Sequence, residues 1–200
     1  YIASDVPAIL KYTRNVYYIG NQEMARVRKG EITFYNLDGD EIEKECKKIE
    51  WDAEAAEKGG YEHFMMKEIH EQPKVVADTL NSVLKDGVID LSEVGLSDDE
   101  IKNISAIQIV ACGSAYHVGM VGQYVIEDMA RIPVRVELAS EFRYRNPILD
   151  KNTLVIVISQ SGETADSLAA LREAKKRGIK TLGIVNVVGS SIAREAENVF

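Results

Sequence analysis

Ser159-Gln160-Ser161-Gly162-Glu163-Thr164 gathers three hydroxyls, one amide, one glycine and one carboxylate into six consecutive positions. Before it stand five apolar residues, Leu154-Val155-Ile156-Val157-Ile158; after it, Leu168, Leu171 and Ala174 recur at helical spacing between Ala165 and Arg177. A run that short, mostly β-branched and without alternation, predicts a strand buried on both faces, as in a parallel sheet. The order is therefore strand, polar loop, helix. A helix opening at Thr164 presents N–H groups without intrahelical partners and a positive partial charge, so its start attracts an anion. The hydroxyls of Ser159, Ser161 and Thr164 add neutral donors, and Gly162 allows close backbone approach. Such a set suits a phosphate. Charge-assisted hydrogen bonds contribute about 1.5–3 kcal/mol each, and roughly three or four of them reach micromolar affinity after ordering costs. The plainer alternative is that the same side chains only cap the helix and satisfy the turn.

The theme recurs upstream. Ile107 to Ala111 reads as a strand, Cys112-Gly113-Ser114-Ala115 as its loop, and Tyr116 to Ala130 as a helix with Val118, Val121, Val125 and Met129 on related faces. Arg131 to Leu138 alternates and so belongs nearer a sheet edge, Ser140 to Tyr144 reads as a short polar helix, and Lys180 to Val185 is a fourth strand. Gly178 closes the preceding helix at its C′ position, and Asn186 to Ser191 leads into a helix through Glu195. Strands alternating with helices predict an α/β fold with a doubly wound parallel sheet. Its ligands bind beyond the carboxyl ends of the strands, where chain direction over the sheet reverses. Both loops occupy such ends and are expected to converge on one crevice. Within them, Cys112 fits a small packed residue better than a nucleophile, and Glu163 fits a first-turn carboxylate favoured by the helix dipole better than a general base.

Composition and spacing remove other classes. Two hundred residues with 46% hydrophobic content allow one or two domains with a real core. No apolar run reaches membrane-spanning length and no signal-peptide pattern opens the chain, although it begins at Tyr1 and reads as a segment of something longer. A net charge of −8 disfavours nucleic-acid partners, so a phosphate site must be local. Cys46 and Cys112 form neither a disulfide framework nor a metal-ligand spacing, and a reducing cytoplasm is the expectation. The chain lacks G-x-x-x-x-G-K-[ST]; Gly113 and Gly119 do not complete G-x-G-x-x-G; Ser161 is not in a G-x-S-x-G elbow.

Residues 1–50 differ in character. Ser4-Asp5-Val6-Pro7 signals a short helix. Asn15 to Ile19, Met24 to Arg28 and Ile32 to Tyr35 then predict a small antiparallel meander, too light in apolar mass to stand alone. From Glu41 to Gly60 the chain reads as a charged connector in which Trp51 packs against a flanking domain. Tyr61 to His70 and Pro73 to Lys85 are expected as helices kinked or divided at Pro73, the second burying Val76, Leu80, Val83 and Leu84. His63 and His70 lack a third ligand candidate for a metal. Ser97-Asp98-Asp99-Glu100 has the capping-box pattern.

Ser-Gln-Ser-Gly-Glu-Thr-Ala-Asp at 159–166, Cys-Gly-Ser-Ala-Tyr-His at 112–117, Ala-Ser-Glu-Phe-Arg-Tyr-Arg at 139–145 and Lys-Glu-Ile-His-Glu-Gln-Pro at 67–73 together resemble the isomerising glutamine–fructose-6-phosphate aminotransferase family, across essentially the whole chain. The resemblance implies that residues 1–50 end an amidotransferase domain, 51–74 link, and 75–200 form most of a first sugar-isomerase (SIS) domain of flavodoxin-like type. It implies that Ser159, Gln160, Ser161 and Thr164 hold the phosphate of fructose 6-phosphate, with Cys112, Gly113 and Ser114 on the sugar side. The family usually reads Cys-Gly-Thr-Ser-Tyr; here Ala115 replaces the serine, removing one donor. The resemblance further implies a cytoplasmic homodimer without cofactor or metal, using glutamine through the upstream domain. Its Schiff-base lysine, general-base glutamate and ring-opening histidine would lie beyond Phe200, and its amidotransferase cysteine before Tyr1. The segment alone is then expected to bind sugar phosphate weakly and turn over nothing. Alternatives are a sugar-phosphate-sensing SIS regulator and a deglycase-type isomerase.

Overall fold

The computed structural model describes residues 1–3, 6, 8–49 and 58–200, which fall into two compact units, 1–79 and 80–200. In the first unit β1 (Asn15–Val16) pairs antiparallel with β5 (Lys47–Lys48), while β2 (Met24–Arg28), β3 (Glu31–Tyr35) and β4 (Glu41–Ile42) form a three-stranded antiparallel sheet. The meander is thus built from a later segment than the sequence suggests. Asn15–Val16 leaves it for β5, and the stretch read as a connector from Glu41 supplies both β4 and β5. Val16 has its own small core with Leu10 and Ile49, which explains the departure: burial overrode the local β propensity of residues 17–19. Near the start, Val6 and Ile9 carbonyls accept from Ile9, Tyr12 and Thr13 N–H groups in successive turns. The capping residues Ser4, Asp5 and Pro7 lie outside the described residues, as does Trp51.

Helix α1 (Phe64–Val83) is continuous through Pro73, so of the kink or division expected there the division does not occur. Proline removes one N–H and crowds one carbonyl, which a helix of 20 residues absorbs. The burial expected along it also fails. Val76, Leu80 and Leu84 are exposed, Val83 is half-buried, and Lys67 is the buried residue of the helix. His70 stacks on Tyr61, with ring centroids 5.3 Å apart.

The second unit opens with a hairpin of β6 (Leu84–Lys85) and β7 (Val88–Ile89), a 3-10 turn at Ser92–Val94, and α2 (Asp98–Lys102). The capping box of α2 forms as read: the Ser97 hydroxyl accepts from Glu100 N–H, and the Glu100 carboxylate accepts from Ser97 N–H. Then come β8 (Ala106–Ala111), α3 (Ser114–Ala130), β9 (Val134–Leu138), α4 (Ala139–Tyr144), β10 (Thr153–Ser159), α5 (Ala165–Lys176), β11 (Lys180–Val185), α6 (Ser191–Glu195) and β12 (Asn198–Val199). The five strands are all parallel in the order β12-β11-β10-β8-β9. Counted from β8, this is the flavodoxin-like 2-1-3-4-5 arrangement. The short fifth strand, β12, carries too little pattern for sequence reading.

Alternation along β8 and β10 divides the core. Ile107, Ile109, Leu154 and Ile156 join Val94, Leu96 and Val134 on one face, with Ile126 of α3 packed against them. Val110, Val155 and Val157 meet Phe142 of α4, Ala170, Leu171 and Ala174 of α5, and Ile192 of α6 on the other. Both faces are covered, so between Thr153 and Ser159 the central strand is apolar throughout. Helix α3 approaches the sheet closely at Gly119, where a Cβ would lie 2.9 Å from Ile109 Cγ2 and 3.0 Å from Val136 Cγ1; at Gly122 the nearest atom is 3.7 Å away. Gly119→Ala is therefore expected to destabilise the unit by about 1–3 kcal/mol through overpacking. Gly122→Ala should be neutral or stabilise by up to about 1 kcal/mol through helix propensity; urea denaturation of the two variants checks the contrast.

Helix α2 is also tied to β11. The Glu100 carboxylate accepts from Lys180 Nζ as well as from Ser97, and these bonds, Lys180 first, lower its pKa from 4.5 to about 2. A depressed carboxylate pKa stabilises the fold fully above the unfolded value and loses that contribution as protons return. Thermal stability should therefore fall as pH drops from 4.5 toward 2, and Glu100→Gln should flatten that part of the melting-temperature profile.

Candidate functional site

Strands β8 and β10 are neighbours, yet the chain leaves them toward opposite faces: β8 feeds α3 on one side, β10 feeds α5 on the other. Divergence at such a switch point opens a crevice beyond the strand ends. Here it is a cavity of about 220 Å³ lined by Cys112, Ser114, Ala115, Ile158, Ser159, Gln160, Ser161 and Thr164. Both sequence-identified loops meet in it. Gly113 does not line it; at φ 59°, ψ −136° it caps the start of α3 and makes the turn that directs the loop, a conformation suited to glycine. Ala115, where the family's serine is replaced, also lines the cavity, and so does Ile158, which was not singled out. Both follow from the geometry, since one stands in the first turn of α3 and the other precedes Ser159.

Each loop residue has a definable local task. Ser159 ends β10 on the buried α4–α6 face; its hydroxyl accepts from Gly162 N–H at 3.0 Å and stands 3.4 Å from Thr164 Oγ1. Ser161 Oγ accepts from Glu163 N–H at 3.2 Å. The turn-satisfying role thus holds for two of the hydroxyls; Ser161 retains its own O–H to donate, while Ser159 and Thr164 share one hydroxyl proton between them. It does not hold for Thr164. This residue is the N-cap of α5 in extended conformation, but its side chain makes no capping hydrogen bond. Its hydroxyl faces the cavity instead, beside a first turn whose N–H groups have no intrahelical acceptor. Gln160 is exposed at the rim.

Cys112 packs partly against the core, and its sulfur receives the buried Ser167 hydroxyl at 3.8 Å. Among the described residues no lysine, arginine, histidine or carboxylate lines the cavity. A cation at the first turn of α5 is committed: Arg143 of α4 donates to Asp166 at 2.7 Å, and that bond raises the Arg143 pKa above its usual value. Glu163 contributes no lining atom; its carboxylate accepts from Ser191 N–H at the start of α6, at 2.7 Å. Neither the general-base reading nor the α5-dipole reading describes it. The result is an electrically neutral donor set around a helix start, with volume for a phosphate and part of its ester.

Comparison with known proteins agrees with this geometry. A relative from Clostridium acetobutylicum, named glutamine–fructose-6-phosphate aminotransferase (isomerizing), is 58% identical over all of this chain and 33% of its own length. One of the same name from Methanosarcina mazei is 48% identical with the same coverage. The chain thus spans about a third of the curated relatives it matches. Among solved structures, the C-terminal domain of glucosamine-fructose-6-phosphate aminotransferase from Francisella tularensis matches 72% of this chain and 40% of its own, at 43% identity and a TM-score of 0.66. The SIS domain model matches residues 100–200, from α2 through both cavity loops to the last strand, and over half the chain is thereby accounted for: it belongs to the SIS family.

Proposed function

We propose that this chain supplies the sugar-phosphate-binding loops of an isomerising glutamine–fructose-6-phosphate aminotransferase, which makes glucosamine 6-phosphate from fructose 6-phosphate and glutamine. The observation that carries this reading is the neutral, hydroxyl-lined cavity at the β8/β10 switch point, set against a helix start whose N-cap side chain is left unused for capping. Ser159, Ser161 and Thr164, with Gln160 and the first turn of α5, are the phosphate side; Cys112 and Ser114 are the sugar side, on a loop that Gly113 turns. The lining side chains offer hydrogen bonds, not a strong base or an amine, so binding and orientation are the part of the reaction assigned to them. In the same reading residues 1–50 end the amidotransferase domain, 51–74 connect, and 75–200 are the first SIS domain of a cytoplasmic homodimer. The high identity to whole-chain relatives of that name supports the choice over a regulator or a deglycase.

Titration of the chain with fructose 6-phosphate, followed by calorimetry or amide chemical shifts, is expected to show binding with perturbations at 112–115 and 159–164. Ser161→Ala and Thr164→Ala should each weaken it by about 1–3 kcal/mol; an undiminished affinity in the double variant would overturn the assignment. Ala115→Ser places one more hydroxyl on the cavity wall. It should tighten binding by about 0.5–1.5 kcal/mol, the net value of an added hydrogen bond, read in the same titration.

A further inference from the structure

We infer that Glu163 is a positioning residue for this cavity, holding the Gln160–Gly162 turn in its anion-accepting shape by tethering it to the start of α6. The inference rests on the phosphate-binding reading above, and it concerns a side chain that never touches the cavity. Three contacts join the two segments. Glu163 Oε1 accepts from Ser191 N–H at 2.7 Å, and Gly162 C=O accepts from Ile192 N–H at 3.0 Å. Gly162, at φ +65°, lies so close to Ser190 that a Cβ there would be 2.0 Å from its Oγ and 2.5 Å from its Cβ. Ser190 is itself fixed, since its hydroxyl caps α6 by accepting from Ala193 N–H at 3.4 Å. Glu163 is the side-chain member of this set. Its carboxylate is bonded to the Ser191 amide, and Arg194 donates to the Gly189 carbonyl and the Ser191 hydroxyl.

The required property is then an acceptor oxygen at the end of a two-methylene arm, not a negative charge. Gln supplies it and Ala does not. Amide hydrogen exchange of the ligand-free chain reads the tether directly. Glu163→Ala should speed exchange at Gly162 and Ser191 by about tenfold, the loss of one hydrogen bond, while Glu163→Gln, which keeps the acceptor, stays within about twofold of the parent. Ser191→Pro removes the donor from the other side at the first position of α6, where proline is tolerated. It should match Glu163→Ala at Gly162, and the double variant should add nothing further.

The same variants are then titrated with fructose 6-phosphate, with melting temperature as the control for a general loss of fold. About tenfold weaker binding in Glu163→Ala and Ser191→Pro, with Glu163→Gln close to the parent, is the expected result. Unchanged exchange at Gly162 in Glu163→Ala overturns the tether whatever the ligand does. A loss in Glu163→Gln equal to that in Glu163→Ala overturns it in favour of a role for charge. A parent chain that fails to bind fructose 6-phosphate while its exchange pattern responds as expected overturns the phosphate reading and leaves the tether standing.

Discussion

A strand covered on both faces can carry polar chemistry only where it stops. β10 is that strand: from Thr153 to Val157 its residues are buried, and alternate side chains enter two separate cores. Its two neighbours, β8 and β11, run parallel to it, so every crossover must return over a face and begin again from the same edge of the sheet. All the loops that precede helices therefore collect at one end. Ser159 is the point where the apolar requirement lapses, still buried but able to use its hydroxyl, and from there to Thr164 the chain is free to be polar. The cavity follows from this arrangement: α3 and α5 start on opposite faces and cannot fill the space between their own first turns.

The electrostatics of that space differ from those of a cationic phosphate site. A chain of net charge −8 sets a long-range field that repels anions, and the Arg143 guanidinium at the first turn of α5 is already matched by Asp166. What remains is short-range: backbone dipoles equivalent to roughly half a charge at a helix start, and hydroxyls that donate without bringing counter-charge. Such a site discriminates by geometry, because its donors weaken steeply with misalignment. It also depends little on ionic strength compared with a lysine cluster, since screening acts on separated charges more than on hydrogen bonds in contact.

Much of this was legible from residue order because the signals were local. The strand–loop–helix succession, the capping box at Ser97, the edge character of Val134–Leu138 and the short helices at 139–144 and 191–195 all follow from patterns a few residues long. The convergence of Cys112–Ala115 with Ser159–Thr164 followed from a topological rule applied to that succession. Failures arose where a non-local partner decided the outcome. Val16 pairs with Lys47, 31 positions away, through burial that no short window contains. Periodicity in α1 marks a face that is apolar, but Val76 and Leu80 stay exposed because periodicity does not supply a covering element. Pro73 illustrates the converse: of the kink or break that a local rule allows there, one missing hydrogen bond was insufficient to cause the break. Glu163 was misread for the same reason as Val16, its partner being 28 residues downstream.

The two halves of that observation meet in the energetics of the loop. Fixing the backbone of one residue costs about 1–2 kcal/mol, so ordering the four residues from Gln160 to Glu163 at the moment of binding would consume about 4–8 kcal/mol. Three or four neutral or charge-assisted hydrogen bonds supply a similar sum, and a floppy loop with these donors would bind almost nothing. A neutral site can be useful only if the fold has already ordered it. The contacts with Ser190, Ser191 and Ile192 do so in the free chain. They come from the crossover after β11, the strand adjacent to β10, so the register of the sheet places the brace beside the loop it holds. Removing cationic side chains from the cavity and adding a brace behind it are on this view two parts of one solution, since the first is workable only with the second.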